Sequence, residues 1–214
     1  MGYKGVLFDL DGTLLDTTDL IVKSFQYSFK KHYDREADIG VVKAYFGRPL
    51  RDALEVMAPG EVEEVLKTYR EYNLANHDRL AKSFAGVAEV IRDMYNDGVL
   101  MGIVTSKTHT TAVRGLKLFD MDRYFPVIIG FEQCRHHKPH PEPVQLAVAG
   151  LGLSPQECLM VGDSPFDLIS ARAAGVKTVA VRWSEVPWDD VMAAEPDYVI
   201  ETMRDLVALV KENK

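Results

Sequence analysis

Short apolar runs rich in β-branched residues recur along this chain, and each ends in a polar loop. They occupy residues 4–8, 100–104, 127–129, 158–161, 178–181 and 198–200. Runs of this length and character are typical of strands buried within a parallel sheet. Most are separated by helical patterns, such as Val87, Val90, Ile91 and Met94, which share one helical face. The alternation predicts an α/β fold, a parallel sheet with helices on both faces.

One long segment interrupts this alternation. Residues 17–80 contain only helical patterns, for example the apolar series Ile21, Phe25 and Phe29, and no strand pattern. The segment follows the first strand, so it is inserted at the carboxyl ends of the sheet, where open α/β folds bind their ligands. We predict a core domain formed by residues 1–16 and 81–214, and a helical cap formed by residues 17–80, with hinges near 16–17 and 80–83.

Charge and cysteine content narrow the functional class. The 214 residues carry 25 Lys and Arg against 32 Asp and Glu, so the net charge is −7 and the surface repels nucleic acid and anionic membranes. Cys134 and Cys158 form no C-x-x-C pair. The apolar stretch near the N-terminus is far shorter than the roughly 18 residues of a membrane span. We therefore expect a soluble cytoplasmic protein with no nucleic-acid or membrane partner.

The first strand runs directly into the acidic segment Asp9-Leu-Asp-Gly-Thr. Side chains alternate along an extended chain, so Asp9 and Asp11 leave the strand end on the same side. Such a carboxylate pair suits Mg²⁺, which prefers oxygen ligands. A calcium loop beginning at Asp9 is excluded, because its sixth and twelfth positions hold Leu14 and Leu20. Two acids in a surface turn remain the simpler alternative.

Polar groups also follow two further strands. Thr105 and Ser106 come after the run at 100–104, where they could hold a phosphoryl oxygen or cap the next helix. Lys138 lies in a proline-rich loop, 136–143, that would present its ammonium to a carboxylate and a phosphate. The histidines of this loop are expected to be solvated, since neighbours on an extended chain point apart.

Asp163 and Asp167 follow the run at 158–161, at the start of a predicted helix, and Asp163 could complete a metal site. The chain has no G-x-S-x-G elbow and no G-x-x-x-x-G-K-[ST] loop. It also lacks a dinucleotide fingerprint between a strand and a helix. These absences argue against a serine hydrolase, a P-loop nucleotidase and an NAD enzyme.

Together these four segments resemble the haloacid dehalogenase-like hydrolase superfamily, in family order and over essentially the whole chain. The D-x-D-G-T motif is matched by residues 9–13, the second-motif hydroxyl by Thr105, the third-motif lysine by Lys138, and the last acids by Asp163 and Asp167. The helical block is similar to the small α-helical cap of the phosphoglycolate phosphatase-like branch. Within that branch, residues 69–70, 76–78, 102–105, 114–118, 138–143 and 195–198 resemble bacterial pyrophosphatases.

The resemblance implies a two-step phosphohydrolase mechanism. Asp9 would attack phosphorus and form an aspartyl-phosphate, which water then hydrolyses. Asp11 would protonate the leaving oxygen and later deprotonate the water. Thr105, the backbone of Ser106, and Lys138 would bind the phosphoryl oxygens.

The resemblance also implies a magnesium site. Mg²⁺ would bind the side chains of Asp9 and Asp163 and the main-chain carbonyl of Asp11. Asp167 would not contact the ion but would hold the groups that surround it.

Inorganic pyrophosphate is the expected substrate. The alternatives are phosphoglycolate or another small phosphomonoester, a sugar-phosphate mutase reaction, and a phosphate sensor without turnover. Arg48, in the cap segment at 46–50, departs from what the pyrophosphatases lead us to expect. It is either a specificity residue that binds substrate or an ordinary solvated arginine beside a turn.

Overall fold

The computed structural model describes residues 2–212. Its elements, in chain order, are β1 (Gly5–Phe8), β2 (Leu15–Asp16), α1 (Thr18–Tyr33), α2 (Ile39–Ala44), α3 (Leu50–Met57), α4 (Val62–Leu80), β3 (Lys82–Ser83), α5 (Val87–Asn96), β4 (Leu100–Val104), α6 (His109–Leu118), β5 (Val127–Ile129), α7 (Glu142–Gly150), β6 (Cys158–Gly162), α8 (Pro165–Ala173), β7 (Lys177–Val181), α9 (Trp188–Ala193), β8 (Tyr198–Ile200) and α10 (Met203–Glu212).

The large sheet has six strands in the order β5-β4-β1-β6-β7-β8, and every neighbouring pair is parallel. The α/β prediction is confirmed, and the six apolar runs form these six strands. β1 lies in the interior of the sheet between β4 and β6, and all four of its residues are buried. Because the strands are parallel, their carboxyl ends lie along one edge, where the polar segments after β1, β4 and β6 meet.

Helices cover both faces of the sheet. Val6 and Phe8 of β1 point to one face and pack in a cluster with α5, α6 and α10. Leu7 points to the opposite face and packs in a second cluster with α7 and α8. This division follows from the alternation of side chains along a strand. The central strand is thereby fixed from both sides, and the residue that follows it is held in place.

Helices α1 to α4 form a block with its own apolar core, which includes Phe25, Phe29, Leu54 and Val65. The block is joined to the rest of the chain through β2 and β3, which pair antiparallel. The sequence did not predict these strands, since two residues each are too few to show a pattern. They lie at the positions predicted as hinges, and they bring the entry and exit of the block side by side.

A charged contact fixes the end of α4 against α6. The Arg114 guanidinium donates to both carboxylate oxygens of Asp78, at 2.9 and 3.0 Å. Beside it His77 is fully buried, and burial lowers the pKa of its imidazole. The paired charges and the neutral ring can therefore lie together in this interface at neutral pH. No helix within residues 2–212 is both long enough and apolar enough to cross a membrane.

A large-to-small substitution in the central sheet tests this packing. Ile103→Ala removes a fully buried side chain from β4 and should lower the free energy of unfolding by about 2–5 kcal/mol. Leu100→Ala, on the same strand but 41% exposed, should change it by less than about 1 kcal/mol. Urea unfolding followed by circular dichroism measures both. Equal effects of the two substitutions would contradict the assigned burial.

Candidate active site

A buried lysine joins two carboxylates at the carboxyl edge of the sheet. The Lys138 ammonium donates to Asp9 Oδ1 at 2.7 Å and to Asp167 Oδ1 at 2.5 Å. Its third hydrogen bond, at 3.1 Å, goes to the carbonyl of Val104 at the end of β4. All three charged side chains are at most 5% exposed. The lysine therefore ties the segment after β1, the end of β4 and the start of α8 to one point.

The start of α8 is built to hold Asp167 in this arrangement. The Ser164 backbone N–H and hydroxyl both donate to Asp167 Oδ2, at 3.1 and 2.6 Å. This is a reciprocal cap at the beginning of the helix. With Oδ1 bonded to Lys138, both oxygens of Asp167 already have partners. Asp167 therefore positions Lys138 and has little capacity left for another ligand.

Asp163 differs, because one of its buried oxygens is unsatisfied. Oδ1 of Asp163 is inaccessible to solvent and has no hydrogen-bond partner among the described residues. Gly12 lies against this carboxylate with φ +87, and a Cβ built at Gly12 would come within 2.2 Å of Asp163 Oδ2. The D-x-D-G segment therefore requires glycine both for its backbone conformation and for the space that Asp163 occupies.

These residues fit a divalent cation. Oxygens of Asp9, Asp163 and Asp167 lie within 4.8 Å of one another. The donors are hard carboxylate oxygens, and a buried unpartnered carboxylate such as Asp163 is costly unless a cation compensates it. Asp9 and Asp163 retain oxygens free for such an ion. The Asp11 carboxylate does not belong to this cluster.

The pKa values show the charge imbalance of the cluster. Burial, with the neighbouring charge of Asp167, raises the pKa of the Asp9 carboxyl from its ordinary 3.8 to about 7, against the opposing effect of Lys138. Burial, followed by the charges of Asp9 and Asp167, raises the pKa of Asp163 well above the ordinary value. For Lys138 burial opposes the charged form, but the two carboxylates outweigh it and raise its pKa.

Asp11 is held by a separate pair of contacts. Its Oδ1 accepts a hydrogen bond from the Lys107 ammonium at 2.6 Å and another from the Thr17 hydroxyl at 2.7 Å. Oδ2 of Asp11 has no hydrogen bond among the described residues. Both Asp9 and Asp11 line one cavity, as their alternation predicts, but they face different cationic partners. Asp11 is therefore oriented by one oxygen, while the other is open to a reacting group.

The loop after β4 carries the predicted phosphate-binding residues. Thr105 is buried, and its Oγ1 accepts a hydrogen bond from the Lys107 backbone N–H at 3.2 Å, so its own hydroxyl hydrogen can be donated elsewhere. The Ser106 hydroxyl donates to the carbonyl of Gly47 at 2.9 Å. This bond joins the loop to the helical block. Thr105 and the backbone of Ser106 thus remain available to a ligand, whereas the Ser106 side chain is engaged.

Arg48 lies on the segment that covers this loop. Its guanidinium carbon is 4.5 Å from the centre of the Phe166 ring and 5.2 Å from that of Tyr45, a stacked position on both rings. Arg48 lines the same cavity as Asp9 and has no carboxylate partner within residues 2–212. The structure thus brings Arg48 to the cavity that Asp9, Asp11, Thr105 and Ser106 also line. The other predicted site residues, Lys138, Asp163 and Asp167, are buried and do not line it. The exposed guanidinium of Arg48 is free to meet an anion in this cavity.

The cavity has a volume of about 450 Å³ and lies between the helical block and the sheet edge. The sheet side contributes Asp9, Asp11, Thr105 and Lys107, and helices α1 to α4 contribute the opposite wall. Carboxylates, a hydroxyl and the Lys107 ammonium therefore face one cavity. This arrangement can hold an anionic substrate against a buried carboxylate.

The sequence matches the family model described as haloacid dehalogenase-like hydrolase over residues 6–181. The chain belongs to this family. Its motif positions, residues 9–13, Thr105, Lys138, Asp163 and Asp167, are those that the structure gathers at one edge of the sheet. The resemblance drawn from the four segments is confirmed.

Similar proteins carry phosphatase and hydrolase names. The chain is 46% identical over 211 residues to "Putative pyrophosphatase PpaX" of Caldanaerobacter subterraneus subsp. tengcongensis, covering 99% of this chain and 96% of that protein. It is 39% identical to pyrophosphatase PpaX of Anoxybacillus flavithermus, covering 98% of each. A haloacid dehalogenase-like family hydrolase of Streptococcus pneumoniae superposes with a TM-score of 0.86 at 25% identity, covering 96% of this chain and 97% of the other. This member of the family is a phosphatase.

Two residues that the sequence analysis gave no role contribute to the site. Lys107 lies in the loop after β4, and Ser164 lies directly before α8. A lysine directly after a Thr-Ser pair at a strand end was a usable signal for Lys107. Ser164 stands three residues before Asp167 at a helix start, which is the spacing of a capping box.

The raised carboxyl pKa values predict how stability depends on pH and metal. An acid whose pKa is higher in the folded than in the unfolded state contributes stability below its unfolded pKa and loses it as pH rises through the folded value. Asp9 and Asp163 should therefore destabilise the metal-free protein progressively from about pH 4 to 7 and above. We expect Mg²⁺ to raise Tm by about 3 °C or more at pH 8 and by less at pH 5.

Scanning calorimetry with EDTA or excess MgCl₂ measures this difference. Asp163→Asn is the matched variant, because it removes the unpartnered charge and keeps the shape of the side chain. It should raise the Tm of the metal-free protein at pH 8 and reduce the rise in Tm that Mg²⁺ causes. If Mg²⁺ raises the Tm of the parent protein equally at pH 5 and pH 8, the assignment of the raised carboxyl pKa values to a cation site is contradicted.

Lys107→Met should impair turnover by leaving Asp11 without its cationic partner. Hydrogen bonds between charged groups contribute about 1.5–3 kcal/mol, which corresponds to a fall of roughly 10- to 100-fold in kcat/KM. Lys107→Arg should recover part of the activity, because it restores a donor. Lys117→Met, an exposed change on α6, is the control and should have no effect. Steady-state phosphate release measures all three, and a Lys107→Met enzyme as active as the control would refute the role.

Proposed function

We propose that this phosphatase hydrolyses inorganic pyrophosphate with Mg²⁺, through an aspartyl-phosphate formed on Asp9. The observation that carries the proposal is the Asp9 carboxylate, buried against Lys138 and beside Asp163, yet lining the cavity shared with Thr105 and Asp11. Relatives named pyrophosphatase, with 36–46% identity over nearly the whole chain, support pyrophosphate as the substrate.

Asp9 acts as the nucleophile in the first step. One carboxylate oxygen of Asp9 forms a bond to one phosphorus of pyrophosphate, and the bridging P–O bond breaks, so the other phosphate leaves with the electron pair of that bond. Lys138 holds Oδ1 of Asp9 at 2.7 Å and so fixes the orientation of the carboxylate. Water then attacks phosphorus in the second step and returns Asp9 as a carboxylate.

Asp11 moves the protons of both steps. It gives a proton to the departing phosphate and takes one from the attacking water. Its Oδ2 is the oxygen without a hydrogen bond, so proton transfer does not require the contacts with Lys107 and Thr17 at Oδ1 to break. The Thr105 hydroxyl and the Ser106 backbone N–H donate to the phosphoryl oxygens as charge builds up on them.

Asp9 and Asp163, with the main-chain carbonyl of Asp11, would hold Mg²⁺, which would supply positive charge to offset the carboxylates and the phosphoryl oxygens. The need for this charge is large, since two like charges 4 Å apart repel by about 4 kcal/mol at an effective dielectric of 20. Lys138 alone balances only one of the three clustered carboxylates. Asp167 serves the site by positioning Lys138.

Helices α1 to α4 act as a cap that excludes water from the phosphorylated Asp9. Three contacts hold the segment around Arg48 down on the core. Ser106 donates to Gly47, Lys43 pairs with Glu185 at 2.7 Å, and Phe46 packs into the apolar cluster beside α8 and α9. The hinge is the β2–β3 pair. Arg48, stacked on Phe166 but otherwise unpaired, binds the outer phosphate of the substrate.

Asp9→Asn tests the nucleophile. The variant should fold, because Asn keeps the size of the side chain, but Mg²⁺-dependent phosphate release from pyrophosphate should fall by at least about 1,000-fold, or 4 kcal/mol of barrier. Asp34→Asn is the control, since the Asp34 side chain is 90% exposed and remote from the cavity. A malachite-green assay measures release, and circular dichroism checks the fold. Activity within about tenfold of the parent would show that Asp9 is not the nucleophile.

A further inference from the structure

The loop between β7 and α9, residues 182–187, does not line the cavity, yet it contacts the backbone of two segments that build the site. The Ser184 hydroxyl donates to the main-chain carbonyl of Asp163 at 2.6 Å. The indole N–H of Trp183 donates to the main-chain carbonyl of Thr13, in the D-x-D-G-T segment, at 3.3 Å. The β7–α9 loop therefore holds both segments whose carboxylates would bind the cation.

The β7–α9 loop also contacts the helical block. Glu185 pairs with Lys43 of α2 at 2.7 Å, and Val186 is buried in the apolar cluster against which Phe46 packs. The backbone N–H of Val186 donates to Ser184 Oγ at 3.0 Å. The same serine thus accepts from the part of the loop that lies against the block and donates to the segment after β6.

Asp163 depends on its backbone for its orientation, because its buried Oδ1 has no hydrogen-bond partner among the described residues. A serine hydroxyl has one hydrogen to donate, and that of Ser184 is used on Asp163. Its oxygen accepts the N–H of Val186 at the same time, so both bonds require the loop to keep one conformation. The contacts with the helical block stabilise that conformation. Groups that orient the ligands of a metal site raise its affinity for the ion.

We propose that Ser184 is a positioning residue for the cation site, which orients Asp163 and makes cation binding stronger when the helical block is docked on the β7–α9 loop. The proposal rests on the function proposed above and adds a means by which the block controls the site. Coupling between two binding equilibria is reciprocal, so a bound cation also favours the docked position of the block.

The tryptophans of this protein report on the loop without a label. The chain has two, Trp183 in the loop and Trp188 at the start of α9. Titrating the metal-free protein with MgCl₂ at pH 8 should change the tryptophan fluorescence and give the Kd for Mg²⁺. The dependence of Tm on the MgCl₂ concentration gives a second measure of binding. If Mg²⁺ raises Tm but leaves the fluorescence unchanged, the loop does not respond to the cation and the coupling is overturned.

Ser184→Ala should raise the Kd for Mg²⁺ by roughly fivefold, because it removes one hydrogen bond that holds Asp163. Ser184→Thr keeps a hydroxyl and should bind Mg²⁺ more tightly than Ser184→Ala. Ser154→Ala is the matched control, since its hydroxyl also donates a hydrogen bond, to Glu157 at 2.7 Å, but lies before β6, at the end of the strand remote from Asp163. Its Kd should equal that of the parent, and circular dichroism checks the fold of all three.

Lys43→Met tests the contact with the block at a partly exposed position. Loss of one positive charge would by itself strengthen the binding of a cation, whereas loss of the docking contact should weaken it, by about twofold for an ion pair of this exposure. In the Ser184→Ala background Lys43→Met should have no further effect, because the two changes act through one series of contacts. Lys30→Met, which removes the pair with Asp34 on α1, is the control. Mg²⁺ binding to Lys43→Met as tight as to the parent, or tighter, would overturn the coupling.

The outcomes separate this proposal from the proposed function. If the parent hydrolyses pyrophosphate but Ser184→Ala binds Mg²⁺ within about twofold of the parent, Ser184 is not a positioning residue and the pyrophosphatase proposal stands. If the parent releases no phosphate from pyrophosphate but the Ser184 and Lys43 variants weaken Mg²⁺ binding as expected, the proposed substrate fails and the role of Ser184 stands. If the parent shows no saturable binding of Mg²⁺ by either readout, both proposals fail.

Discussion

The site is organised around the buried pairing of Lys138 with Asp9 and Asp167. A lysine that is almost fully desolvated is costly unless paired charges compensate it, and a carboxylate in the same place has the same requirement. Removing Lys138 would leave two uncompensated carboxylates inside the protein. The loop that carries Lys138, the end of the central strand and the start of α8 are therefore fixed relative to one another. The orientation of Asp9 is a consequence of this network.

The same network leaves an excess of negative charge that no described side chain balances. Asp163 has a buried oxygen without a partner, and the pKa of Asp9 is raised to about 7. Three carboxylates against one lysine leave two negative charges, which a divalent cation would offset. Asp11 stands apart from this balance, because Lys107 already pairs with it. In the proposed mechanism this division separates the nucleophilic carboxylate of Asp9 from the carboxylate of Asp11, which transfers protons.

Much of the fold and the site could be predicted from the sequence, for physical reasons. Buried strands appear in the sequence as continuous apolar runs, and parallel strands place the residues that follow them at one edge, so Asp9, Thr105 and Asp163 were predicted to approach one another. Contacts between segments distant in the chain leave no such pattern. The bond from Ser106 to Gly47 and the stacking of Arg48 on Phe166 depend on how the helical block lies on the sheet, which periodicity does not specify. The pairing of Lys107 with Asp11 joins two loops of the core and likewise leaves no periodic signal.

The β2–β3 pair allows the helical block to vary without disturbing the large sheet. The chain leaves the sheet and returns to it through two adjacent strands of two residues each, so the intervening 65 residues, 17–81, begin and end almost at the same point. An insertion with neighbouring ends can change its length or sequence without altering the register of the sheet. Mutations in the helical block can therefore reshape the part of the cavity that it lines, while the residues at the sheet edge keep their positions.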